Sequence, residues 1–259
     1  MPRLGLGLGL GRRRGPGSTG VAIPDLPVEW WRSDLGVTLN VAAVSSWLGQ
    51  KVGYDLAQGT GSDQPAYSAS DANFNGVPSI TGDGSSDWLG ETAGAGTLGA
   101  LVGRGDDTPW SLIITIGVVG TTAQNVCGWS DASDASNYKM RLELDGTDQI
   151  RAFRRSVGAK SSTYSGTIGS ANVVSMVFDG TTVSMWVDNT LIINAEDLDT
   201  TDMSTNPDRF ALFTDPDSAP GAFGNIACVE IRAYTGALST ANRQSEQVAM
   251  AAYAGVTLS

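Results

Sequence analysis

VVSMVFDGTTVSMWVDN, residues 173–189, is the stretch that decides the fold. Two short runs, VVSMVF (173–178) and TVSMWVD (182–188), flank Asp179-Gly180. Both runs are rich in the β-branched and aromatic residues that suit a pleated, half-buried surface. Glycine after aspartate supplies the positive φ that a tight turn needs, so the stretch predicts a β-hairpin. Upstream, YKMRLEL (138–144) alternates, Asp145-Gly146 turns, and QIRAFRR (149–155) alternates again. WSLIITIGVV (110–119), TLIINA (190–195), RFALF (209–213) and IACVEIRAY (226–234) add further strands. About a dozen short strands separated by turns, with almost no helical periodicity, predict an all-β sandwich.

One helix is expected, over 240–253. Ser239 stands where an N-cap belongs, Ala and Gln favour the helix, and Gly255 is placed to end it. No second domain boundary is visible. Two prolines in IPDLP, Pro24 and Pro27, separate an arm and linker, residues 1–27, from a body, residues 28–259.

The chain has 259 residues, 17% charged and 41% hydrophobic, a composition that folds into a globular core. It contains no histidine. That removes Ser-His-Asp and Cys-His catalysis and every metal site built on imidazole. Cys127 and Cys228 sit in apolar runs and read as small buried residues rather than a disulfide or a catalytic thiol. No run of 18 apolar residues occurs, so no membrane partner is expected. Net charge is −11, and the first 15 residues hold four of the 16 basic residues and none of the 27 acidic ones. A body so acidic argues against a nucleic-acid surface.

MPRLGLGLGLGRRRG opens the chain. Its arginines follow the apolar run and its glycines interrupt it, so it does not read as a secretory signal. Leu4, Leu6, Leu8 and Leu10 share one side of an extended strand. A lone Gly-rich strand does not hold itself in water. The tract is therefore expected to be an assembly arm: the leucines seek an apolar partner, and Arg12, Arg13 and Arg14 seek an acidic one.

Five segments carry a family resemblance. WWRSDLGVTLN (30–40) followed by VSSWLGQ (44–50), then GVPSITGDGSSDWL (76–89), the 173–189 hairpin and EIRAYTGALSTANRQ (230–244) together resemble the concanavalin A-like, laminin-G-type jelly rolls. The resemblance covers residues 28–259 and implies two antiparallel sheets packed face to face, six or seven strands each in that family. The Leu-Gly start resembles bacteriophage virion proteins.

Some members of that fold hydrolyse glycans with paired carboxylates on one strand. Glu143-Leu144-Asp145 has half of that spacing, but Gly146 turns the chain where the second acid would stand, so no enzyme is expected. Others hold calcium in rim loops. No cofactor is expected here, although Asp83 and Asp87 in GDGSSD, and Asp131 and Asp134 in WSDASDASN, are where calcium would sit. A glycan site needs an aromatic face beside polar groups. Trp129 with Asp131, Asp134 and Tyr138 is the candidate cluster. Most of Trp30, Trp31, Trp47, Trp88, Trp110 and Trp186 read as core, and Arg104-Gly105-Asp106 reads as a chance tripeptide.

These readings lead to one expectation: a non-enzymatic virion subunit of a phage head, fibre or tail. Its arm would join other virion proteins, it would be a homo-oligomer such as a trimer, and its exposed jelly roll would contact glycans. The alternative is a free carbohydrate-binding lectin module.

Overall fold

The computed structural model describes residues 27–91, 97–98, 108–119, 124–130, 138–145, 149–154, 160–164, 171–197, 209–215 and 220–258. In chain order the strands are β1 (Glu29–Arg32), β2 (Val37–Asn40), β3 (Ala43–Leu48), β4 (Asp55–Ala57), β5 (Ala66–Ser68), β6 (Ser79–Thr81), β7 (Leu89–Gly90), β8 (Trp110–Val118) and β9 (Gln124–Ser130). They continue as β10 (Tyr138–Asp145), β11 (Gln149–Arg154), β12 (Lys160–Tyr164), β13 (Asn172–Phe178), β14 (Thr182–Val187), β15 (Thr190–Asp197), β16 (Arg209–Leu212) and β17 (Ile226–Tyr234). A C-terminal helix, α1, spans Thr240–Ala254.

The strands form two layers. The front layer runs β15-β14-β13-β8-β17-β1. The back layer runs β12-β11-β10-β9-β16-β7-β4-β3-β2. β5 and β6 bridge from β3 to β17, which joins the layers into one hydrogen-bonded network. Every pairing is antiparallel, and the architecture is the all-β sandwich the alternating runs predict. The strands beyond the expected dozen are mostly pieces of two to four residues between Glu29 and Gly90. They are too short to show a period in the sequence.

Side chains from both layers meet in one core. Trp31, Ile114, Met176 and Met185 come from the front, and Trp47, Trp129, Leu142 and Phe210 from the back. Trp110 meets Trp129 edge-on at 4.6 Å, and Trp31 stacks on Phe210 at 6.1 Å. Such pairs add to the area they bury because ring edges and faces carry opposite partial charge. Cys127 and Cys228 are both free and buried in this core, where burial pushes the two thiols up.

The 173–189 hairpin forms as predicted, with Phe178 opposite Val183 and Gly180 at φ +102°. Asp179 closes it: one carboxylate oxygen accepts from the backbone N–H groups of Thr181 and Thr182 at 2.8 and 2.7 Å. Helix α1 starts where Ser239 Oγ accepts from the Asn242 N–H, and it ends at Gly255, φ +67°. A Cβ at Gly255 would stand 2.3 Å from Asn75 Cβ, so this position needs glycine for space as well as conformation. The helix lies on the outer face of the front layer, where Leu238, Met250 and Ala251 cover Ile113, Val173 and Tyr234. That cover is why β17 is buried along almost its whole length.

Glu29 shapes the start of the sandwich. Its carboxylate is fully buried and accepts from the backbone N–H groups of Trp30, Lys51, Val52, Gly53 and Tyr54, at 2.7 to 3.1 Å. The 49–54 loop is wrapped around this single anion. Gly49 permits the wrap, since a Cβ there would lie 2.4 Å from Glu29 Cδ.

Candidate functional site

Strand β17 changes phase in its middle. Ile226 and Cys228 point into the core, but so do Ile231 and Ala233. A β-bulge between Cys228 and Glu230, against β8, supplies the extra residue that makes this possible. Without it, Glu230 and Arg232 would share the inward parity of Ile226 and Cys228. With it, both face outward, opposite Arg32 and Trp30 of β1. The neighbouring Trp31 packs in the core, because successive residues of a strand point to opposite faces.

Helix α1 completes the site. Trp30, Arg32, Arg232 and Glu246, with Pro27, line an open cleft of about 260 Å³. Arg232 is held between two carboxylates: its Nε donates to Glu230 Oε1 at 2.8 Å and its Nη1 to Glu246 Oε2. Arg32 makes a two-pronged pair with Asp34, at 2.7 and 3.1 Å. Its guanidinium also lies 5.5 Å from the Trp30 ring and 4.5 Å from the Tyr253 ring. Glu230 is fully buried, and its Oε2 has no hydrogen-bond partner. Burial pushes the Glu230 carboxyl up, against the pull of Arg232. The arrangement sets one aromatic wall beside fixed donors and acceptors, the chemistry that grips a molecule with an apolar face and a hydroxylated rim.

Trp129, expected to head the glycan cluster, is a core residue at 1% exposure. Its ring is covered by Trp110 and Phe210 and offers no face to a sugar. Asp131 and Asp134 lie outside the described residues. Tyr138 pairs through its backbone with Ser130, and its side chain is not among those described. The arm, with Leu4, Leu6, Leu8, Leu10, Arg12, Arg13 and Arg14, also lies outside them. Of the other tryptophans, Trp31, Trp47 and Trp110 are core as read. Trp30, Trp88 and Trp186 are half-buried, and an arginine lies over each ring: Arg32, Arg209 and Arg243.

Asp83 spends its carboxylate on its own loop. Oδ1 accepts from the N–H groups of Ser85, Ser86 and Asp87, and Oδ2 from Ser85 Oγ. Those hydrogen bonds hold it well below the usual carboxylate range. Among the described residues, no group of three or more acidic or cysteine side chains gathers as a metal site would require. Asp87 goes the other way. Burial, then the charge of Asp83, push it up to about 6 from 3.8. A carboxyl raised on folding binds its proton more tightly in the native state, so stability falls as pH rises from about 4 to 6. Asp87→Asn is expected to be more stable than the parent at pH 7, by about 1 kcal/mol after solvent screening. The two should converge at pH 4. Melting curves at pH 4, 5.5 and 7 check this, and a variant that melts below the parent at pH 7 contradicts it.

Glu143, whose spacing to Asp145 has half of the catalytic pattern, is buried and clamped. Oε2 lies 2.5 Å from Arg141 Nη2, and Oε1 accepts from Arg151 Nε. Arg141 also reaches Asp215, which accepts from Asn125 Nδ2 at 2.7 Å. This network crosses β9, β10 and β11, and the sequence reading missed it.

No protein-family model matches the sequence, and no curated protein matches it. Solved structures share the fold. A Trypanosoma rangeli sialidase in complex with sialic acid superposes with a TM-score of 0.60 at 12% identity, over 86% of this chain and 32% of that one. The same sialidase with 2,3-difluorosialic acid, a covalent intermediate, gives 0.58 at 13% identity, over 86% and 33%. The botulinum neurotoxin serotype D binding domain gives 0.56 at 9% identity, over 88% and 51%. The chain thus spans about a third of the sialidases' length and half of the toxin domain's. The expectation of no enzymatic activity is corrected by this finding: the fold occurs within sialidases, which are enzymes. Glycoside hydrolysis runs on carboxyl groups, so a lack of histidine does not exclude it.

Proposed function

We propose that this chain is a carbohydrate-binding jelly-roll module of the concanavalin A-like type, with its sugar site in the cleft of Trp30, Arg32, Arg232 and Glu246. The observation that carries the reading is that cleft: a half-buried tryptophan beside carboxylates and guanidiniums that hold one another in place. The shared fold is compatible with it, since the matched structures are sialidases and a toxin binding domain. A glycan array probed with the whole chain tests it. Binding to a defined set of glycans is expected, and a blank array overturns the reading.

A second reading rests on the arm. Its alternating leucines and following arginines favour a subunit that docks to other virion proteins, as a homo-oligomer on a phage particle. The two readings are compatible if the exposed sandwich contacts glycans. Deleting residues 1–14 is expected to leave a folded body that no longer joins its oligomer or particle. Size-exclusion chromatography with light scattering reads the outcome, and unchanged assembly places the anchor elsewhere.

A further inference from the structure

We infer that the cleft selects neutral, hydroxyl-rich sugars and rejects sugars bearing a carboxylate. This rests on the glycan-binding reading above and names the ligand class. The reason is the charge already in place. Two guanidiniums, Arg32 and Arg232, face three carboxylates, Asp34, Glu230 and Glu246. Each arginine is already engaged by a carboxylate, with Arg32 holding both oxygens of Asp34 and Arg232 shared between Glu230 and Glu246. A cleft built to hold an acid would leave a guanidinium fork open for it. Here the forks are closed, and an incoming carboxylate would be a fourth anion on a chain of net charge −11. Hydroxyl groups meet no such obstacle. They donate to Glu246, the carboxylate that lines the cleft, and accept from the remaining guanidinium N–H groups, while an apolar sugar face lies on Trp30. The cleft, about 260 Å³ and open to solvent, gives room for a sugar ring.

The test is an array of neutral oligosaccharides alongside sialylated and uronate-terminated ones, probed at 0.15 M salt with the full chain and three variants. Trp30→Ala removes the wall, Glu246→Gln removes one charge but keeps an acceptor for Arg232, and Trp186→Ala removes an outward tryptophan away from the cleft. Melting curves confirm that each variant is folded. The expected result is neutral binding at least tenfold stronger than acidic, lost at least tenfold in Trp30→Ala and kept in Trp186→Ala. Glu246→Gln should narrow the gap between neutral and acidic ligands several-fold. Acidic glycans bound as well as neutral ones, with the same dependence on Trp30, would overturn the selectivity and leave the glycan reading standing. A gap unchanged in Glu246→Gln overturns the charge argument. Glycan binding indifferent to Trp30→Ala overturns the cleft as its site, and no glycan binding overturns both readings. If Trp30→Ala does not fold, Glu246→Gln and Trp30→Phe decide, the latter with binding reduced but not abolished.

Discussion

Glu29→Ala is expected to lower the melting temperature by at least about 8 °C, and on a marginal background to prevent folding. The substitution removes an anion that five backbone N–H groups share. Hydrogen bonds to a charged group are worth about 1.5–3 kcal/mol each, and donors left unpaired in a buried site cost about 1–3 kcal/mol each. The 49–54 loop would open and hydrate some of them, so the losses do not simply add. A net cost of about 4 kcal/mol is expected, at about 2–4 °C per kcal/mol for a chain of this size. Glu29→Gln keeps one acceptor oxygen but points an amide at donors, and it should lose about half as much. Thermal and urea unfolding of both variants check the order. If Glu29→Ala melts within 2 °C of the parent, the loop is not held by this carboxylate.

Trp129→Ala is expected to cost about 3–5 kcal/mol, the range for removing a large aromatic from a packed core. The ring is held edge-on to Trp110 and tilted against Phe210, where the two layers meet. Its Nε1 has no hydrogen-bond partner, so the whole loss comes from packing and the cavity left behind. Trp129→Phe fills most of that space without the unpaired N–H and should cost about 1–2 kcal/mol. The pair separates a core role from a sugar-binding one. Glycan binding per folded molecule should be unchanged in both, measured below their melting temperatures, whereas a tenfold loss of binding in a folded Trp129→Phe would return this residue to the site.

The hairpin at 173–189 and the caps of α1 were legible because each depends on neighbours in the chain. Asp179 bonds to residues two and three positions on, and Ser239 caps its own helix. The cleft was legible only in part. Trp30 and Trp31 sit on one short strand, so one of them had to face outward. The other half was hidden in IACVEIRAY. Helix α1 covers the outer face of that strand, so Ala227, Val229 and Tyr234 are buried there while the inward set is apolar too. An almost continuous apolar run conceals a change of phase that a strand with one wet face would display as broken alternation. Glu29 gave no local signal at all. Its five donors lie at its own neighbour and more than twenty residues away, and only the paired layers bring them together. The setting of Glu143 is hidden for a related reason: whether a carboxylate there meets water or lies between two arginines depends on Arg151 across the turn and Asp215 from a distant loop.

The bulge in β17 gives one strand two trades. Before it, the outward residues Ala227 and Val229 pack with Phe74 and Ala254, a seat for the end of the helix. After it, the outward residues are Glu230, buried behind Arg232, and Arg232 itself, which lines the cleft. The extra residue lets both stretches keep an apolar inward set, so one strand carries load at one end and presents charge at the other. Deletion of Val229 would restore strict alternation with Ile231 and Ala233 still inward and Glu230 and Arg232 still outward, so the bulge can be lost without turning a charge into the core.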